Sequence, residues 1–172
     1  DRRNEAYRLI IADSRGISDI PPIILGAEVA CFSGMSREKN ITKLCIENTK
    51  FMLVEMPFHD WSSLNINEIR GLLANCGITP IIAHIERYLH YKNTSRQLSE
   101  MLEMGVLIQT NGEALLDKSC KRTILRMIER NQIHLLGSDC HNLTDRAPNL
   151  DVAFNVLTKK LGHQIIEKIN RN

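Results

Sequence analysis

The residues best suited to chemistry lie in Gly137-Ser138-Asp139-Cys140-His141, directly after the apolar run Ile133-His134-Leu135-Leu136. That run reads as a short buried strand. In extended backbone, residues two apart project to the same side, so Asp139 and His141 converge and Cys140 points away. A carboxylate and an imidazole meeting at the end of a buried strand suit a divalent metal ion. Alone, the pair reads more readily as a capping Asp beside a surface His.

Three further apolar runs finish in the same manner. Ile23-Ile24-Leu25-Gly26-Ala27 leads to Glu28, Phe51-Met52-Leu53-Val54 leads to Glu55 before Met56-Pro57, and Pro80-Ile81-Ile82-Ala83 leads to His84, with Glu86 and Arg87 close behind. Acidic groups are unfavourable within buried strands unless paired or ligating a metal. Four such endings in parallel strands would gather at one face, the face that carries active sites in β/α folds.

Helical patterns separate these strands. Asn65–Cys76 carries an apolar stripe and is followed by Gly77 as a C-cap, and Thr94–Met104 repeats the arrangement before Gly105. Val106–Thr110 is a further strand, Asp117–Arg130 and Pro148–Leu161 are helical, Arg2–Ala12 is an opening helix and His163–Ile169 a closing one. Phe32–Lys43 and Pro57–Ser63 read as loops. Strands alternating with helices predict a parallel β/α architecture in one domain over residues 1–172.

Composition narrows the function. A formal net charge of +2, no basic run and an aromatic content of 5% point away from nucleic acid. No apolar stretch approaches membrane-spanning length and no signal peptide is visible. The five cysteines are odd in number and contain no C-x-x-C pair, which predicts reduced thiols in a cytoplasmic protein.

Taken together, Leu25–Glu28, Leu53–Pro57, Ala83-His84-Ile85-Glu86-Arg87-Tyr88 and Ser138-Asp139-Cys140-His141-Asn142 through Arg146 resemble the bacterial PHP-domain tyrosine phosphatases. These are manganese-dependent phosphatases associated with capsular and exopolysaccharide synthesis. The likeness runs from about Ile23 to about Leu150, and A-H-x-E-R-Y with S-D-x-H-N are its most specific parts.

The resemblance implies an α/β fold, a distorted, TIM-like PHP-type β/α barrel with a trinuclear metal site. Glu28, Glu55, His84, Asp139 and His141 match metal-ligand positions, with Glu28 the bridging carboxylate. Arg87 and Arg146 match positions that hold the substrate phosphate, and with Asp139 and His141 they form the catalytic set. The cofactor implied is Mn²⁺, two or three divalent ions in a complete domain, with Mg²⁺, Fe or Zn²⁺ as other occupants. The partner implied is a phosphotyrosine protein, a bacterial tyrosine kinase that controls polysaccharide export.

The sequence departs from the family pattern twice. Ile85 stands where the third residue of A-H-P-E-R is usually proline, a change in backbone stiffness. The opening H-x-H strand and the next strand ending in His are absent and would lie before Asp1. A barrel closes with about eight strands, so the chain is expected to be the C-terminal two-thirds of a barrel lacking its first strands, with open edges that invite association into oligomers.

The donor set matches the chemistry. Hard divalent ions favour carboxylate and imidazole over thiolate, and a planar guanidinium suits phosphate. Competing readings remain at this stage. Glu28 reads otherwise as an exposed strand-end charge, Glu55 as a loop cap, Arg87 as the partner of Glu86 or Asp60, and Arg146 as the partner of Asp145 or of a helix carboxylate. Cys140 and Arg146 have the spacing of a C-x₅-R thiol phosphatase, but D-R-A-P without glycines makes a poor phosphate cradle. His59 reads as a surface or substrate-edge residue, His134 as structural, and Gln109, Asn111 and Glu113 as pocket lining. Two other functions stay open: hydrolysis of a small ester such as histidinol phosphate, and a non-catalytic truncated module.

Overall fold

The computed structural model describes residues 2–171, so the two terminal residues of the domain expected over 1–172 lie outside it. The elements in order are α1 (Arg2–Asp13), β1 (Glu28–Ala30), β2 (Phe51–Glu55), α2 (Ser63–Cys76), β3 (Thr79–Ile82), α3 (Thr94–Glu103), β4 (Leu107–Asn111), α4 (Lys121–Glu129), β5 (Leu135–Gly137), α5 (Leu150–Leu161) and α6 (Gln164–Arg171). The strands form one sheet in chain order, each parallel to its neighbour. The expected parallel α/β architecture is present.

The two faces of the sheet differ in character because side chains alternate along each strand. Met52, Val54, Ile82 and Ile108 are fully buried and share a core with Ile69 and Leu72 of α2, Met101 of α3 and Ile124 of α4. Each such side chain contributes roughly 1.5–3 kcal/mol of burial. The register places Glu28 level with Leu53, Leu53 with Ile81, and Gln109 with Leu135. These residues line the other face, around an apolar hollow of about 340 Å³. Glu28 and Gln109 therefore sit on the face turned away from α2, α3 and α4.

Local signals explain the helix boundaries. Ser62 caps α2: its side chain accepts from Asn65 N–H while the Asn65 side chain accepts from Ser62 N–H, and Gly77 closes the helix at φ +62°. The sequence places a helix start at Asp117, but Asp117 instead accepts from Ser119 N–H and Oγ at 2.8 and 2.6 Å, and α4 begins at Lys121. Such local side-chain bonds compete with helix. The helix expected from Pro148 likewise starts at Leu150.

The first strand differs more. The sequence predicts a strand that ends at Glu28, whereas β1 starts there. Pairing with β2 runs only from Leu53 to Glu55, so Ile23–Ala27 has no strand opposite. The Leu25 carbonyl accepts instead from Glu47 N–H at 2.7 Å. Glu28 thus lies one pleat below Glu55 on the same face.

The segment Phe32–Lys43, expected as a loop, holds 3₁₀ turns at Met35–Arg37 and Ile41–Leu44, with Met35 and Ile41 in the core. Glu68 of α2 fastens it. This buried carboxylate accepts from Gly34 N–H at 2.7 Å, Ser36 N–H at 2.9 Å and Ser36 Oγ at 2.7 Å. Burial pushes its pKa up, but these donors and the nearby Arg37 outweigh that and hold it below the ordinary value.

Candidate metal centre and phosphate site

Glu28, Glu55 and His84 converge. Their ligand atoms lie within 4.8 Å of one another, and His84 Nε2 is 3.1 Å from Glu28 Oε1 and 3.4 Å from Glu55 Oε1. Three adjacent strands supply them: β1 carries Glu28, β2 ends in Glu55, and His84 follows β3 by two residues. His84 is only 2% exposed, and its Nδ1 is buried without a hydrogen-bond partner, so the ring presents Nε2 to the carboxylates. Two carboxylates and one imidazole form a hard donor set that fits a divalent cation. Among the described residues, this is the group with metal-ligand proximity.

Asp139 and His141 do meet, but not through extended backbone. β5 ends at Gly137, and Asp139 takes φ +52°. His141 Nε2 then lies 3.1 Å from Asp139 Oδ1. Asp139 Oδ2 accepts from Arg87 Nη2 at 2.7 Å, from Asn111 Nδ2 at 3.1 Å, and from Arg146 Nη2 in a short contact. Burial raises the Asp139 pKa, but the bonds from His141 and Arg146 and the two guanidinium charges prevail and lower it. Arg87 and Arg146 therefore pair with Asp139, rather than with Glu86, Asp60 or Asp145 as the competing readings had it.

A chain of amides joins the two groups. Gln109 Oε1 accepts from His84 N–H at 2.5 Å, Gln109 Nε2 donates to Asn111 Oδ1 at 2.9 Å, and Asn111 Nδ2 reaches Asp139. A Cβ at Gly137 would lie 2.6 Å from Gln109 Nε2, so glycine here makes room for that carboxamide. Sequence reasoning placed Gln109 and Asn111 at the pocket without seeing this link. Their spacing at the end of β4 was the available signal.

Each residue of His84–Tyr88 has a distinct task. His84 faces the carboxylates, Ile85 is fully buried, and Glu86 docks the turn on β4 through Thr110 Oγ1 at 2.8 Å and Asn111 N–H at 3.2 Å. Burial raises the Glu86 pKa against these bonds. Arg87 reaches Asp139, and Tyr88 donates to the Met56 carbonyl at 3.0 Å. In the later loop, Asn142 Oδ1 accepts from Thr144 N–H at 2.9 Å and Arg146 N–H at 3.0 Å, while His141 N–H donates to the Arg146 carbonyl at 3.0 Å. The loop so closed turns Arg146 back onto Asp139.

The remaining candidates lie outside this network. His134 Nδ1 accepts from Ile108 N–H at 3.1 Å, and burial with the charge of Lys168 lowers its pKa, in keeping with a structural role. His59 is exposed, with Nδ1 2.9 Å from its neighbour's carbonyl, Asp60 O. The five cysteines are free, as the sequence predicts, and Cys140 is exposed. Phe58 was not singled out in the sequence, yet its ring stacks on His84.

The sequence model described as capsular polysaccharide synthesis, CpsB/CapC, matches residues 6–172. The chain is 30% identical over 152 residues to the tyrosine-protein phosphatase CpsB of Streptococcus agalactiae serotype III (strain NEM316), which covers 83% of this chain and 62% of that protein. It is 32% identical over 130 residues to CpsB of Streptococcus pneumoniae, 68% of this chain and 51% of the relative. It is 30% identical over 161 residues to the tyrosine-protein phosphatase YwqE of Bacillus subtilis (strain 168), 90% and 62% of the two chains. The chain thus spans less than two-thirds of these relatives. A solved structure from work on YwqE of Bacillus subtilis and CpsB of Streptococcus pneumoniae, described as metal-dependent tyrosine phosphatases, matches with a TM-score of 0.77 at 24% identity. That match covers 99% of this chain and 68% of the other, and at this identity it is a likeness of fold.

Proposed function

The chain belongs to the CpsB/CapC family of capsular polysaccharide synthesis, and on that premise we propose that it forms the larger part of a metal-dependent phosphatase that hydrolyses phosphotyrosine on protein. The observation that carries this reading is the convergence of Glu28, Glu55 and His84 on one sheet face, joined by amides to an arginine-flanked Asp139. The names of the relatives support the substrate class.

Glu28, Glu55 and His84 hold a divalent ion, and Asp139 with His141 contribute to the same centre. Mn²⁺ is the favoured occupant, two or three ions in a complete domain, because carboxylate and imidazole dominate the donor set. When bound, such ions supply an activated water and neutralise charge on the phosphoryl group. Arg87 and Arg146 each spend one donor on Asp139 and keep others for phosphate oxygens. Asp139 orients both guanidinium groups, and His141, half exposed at the rim, is placed to ligate or to hold a proton at Nε2. The described sheet is read as part of a distorted PHP-type barrel, of which residues 1–172 are the C-terminal two-thirds.

The physiological substrate in this reading is a bacterial tyrosine kinase of capsule or exopolysaccharide synthesis. Free cysteines support a reducing, cytoplasmic setting. Among the described residues, no helix is long and apolar enough to cross a membrane.

Phosphate release from a phosphotyrosyl peptide, with chelator and with added Mn²⁺, tests the reading on the complete protein. Loss of release on chelation and recovery with Mn²⁺ are expected. Release indifferent to chelator would overturn metal catalysis, and preference for histidinol phosphate would move the substrate to small esters.

A further inference from the structure

We infer that Phe58 recognises the aromatic ring of the phosphate ester and so favours aryl over alkyl phosphates; the inference rests on the phosphatase reading above. Phe58 lies three residues beyond Glu55, the last residue of β2. Its loop is fastened on several sides. Tyr88 OH donates to the Met56 carbonyl at 3.0 Å, Trp61 Nε1 to the Pro57 carbonyl at 3.2 Å, Lys92 N–H to Asp60 Oδ1 at 3.1 Å, and Gln97 Nε2 to the Trp61 carbonyl at 2.7 Å. Met56 and Trp61 are buried, yet Phe58 between them is 53% exposed.

The exposed ring has a fixed pose. It lies nearly parallel to His84, with centroids 6.1 Å apart and planes 12° apart, and stacks on Tyr88 at 5.5 Å and 24°. A Phe packed on one side and open on the other offers a platform for a further ring, since aromatic pairs favour offset stacking. The platform adjoins the candidate ligands Glu55 and His84, and the turn that begins at His84 also carries Arg87 to Asp139. A phosphate bound at the Glu28, Glu55 and His84 group would have the ring stacked on His84 as a flat apolar neighbour. An aryl ester can cover that surface, whereas the short alkyl arm of phosphoserine brings no ring to it.

Titration calorimetry of the Mn²⁺-loaded protein with phenylphosphonate, which keeps the ring but has no ester bond to hydrolyse, and with inorganic phosphate tests this. Wild type is expected to prefer phenylphosphonate. Phe58→Ala and Phe58→Leu should each weaken phenylphosphonate binding about tenfold, which matches a lost aromatic pair, and leave inorganic phosphate within about twofold. Phe58→Trp should restore the preference. Equal losses for both ligands, or an unchanged preference in Phe58→Leu, would overturn the ring-recognition role while leaving the phosphatase reading intact. Binding of neither ligand by wild type would overturn both. Circular dichroism on each variant confirms the fold, and Phe58→Leu retains the apolar bulk should Phe58→Ala unfold.

Discussion

His84 and Asp139 leave their strands through the same backbone device: each lies two residues past a strand end, and each takes a left-handed conformation, φ +35° and +52°. Non-glycine residues rarely adopt this region, and such outliers concentrate at functional sites. Each turn swings the chain off the sheet and sends a later arginine, Arg87 or Arg146, back to the same carboxylate.

Asp139→Asn should fold normally, because Asn tolerates the left-handed region, and should lose phosphatase turnover. Its stability should stay within about 1 kcal/mol of wild type, since the two arginine pairs it breaks are partly solvated. Thermal unfolding and phosphate release measure the two effects. Cys140→Ser, one residue away, should keep full turnover; loss of activity there would revive a thiol mechanism.

Glu55→Gln and His84→Ala should each weaken Mn²⁺ binding by roughly 100-fold, at or above the effect typical of outer-shell changes. Calorimetry on the purified variants reads this without reference to catalysis. Affinity equal to wild type in both would remove these residues from the metal centre.

Gly137→Ala should destabilise the protein by about 1–3 kcal/mol, because its Cβ meets the Gln109 carboxamide. In a Gln109→Ala background the same change should cost less than about 0.5 kcal/mol. Urea unfolding of the four proteins in this cycle isolates the contact. An equal cost in both backgrounds would place the strain elsewhere.

Glu68→Gln should cost about 2 kcal/mol at neutral pH, since a buried charged acceptor serves three donors. The folded pKa of Glu68 is lowered from 4.5, so its ionised form stabilises fully above that value and the benefit fades as pH falls through the lower folded value. The gap between wild type and variant should therefore shrink below pH 4.5. A gap constant across that range would deny the linkage.

Much of this was legible in the sequence because it rested on local pattern. The apolar run of β2 ends at Glu55 as its composition suggests and Gly77 closes α2 where it was expected, whereas β3 stops at Ile82, two residues short of the expected end at His84. What depended on distant partners was not legible. The start of β1 is set by which residues of β2 lie opposite, and the fate of Arg87 and Arg146 by a carboxylate that reaches them only through a left-handed turn at Asp139. Period-two reasoning put Asp139 and His141 side by side for the wrong reason, since the strand had already ended at Gly137. The amide link through Gln109 is invisible in one dimension, because it depends on β3 and β4 lying side by side.

The sheet order repeats the chain order, strand after neighbouring strand. During vectorial synthesis, each new strand therefore meets a partner that has already left the ribosome, and no strand waits for a later one to fill a gap beside it. Glu28, Glu55 and His84 are all made before the first residue of β4. Within this chain the candidate trio and Arg87 precede β4, and Asp139 with Arg146 joins them afterwards.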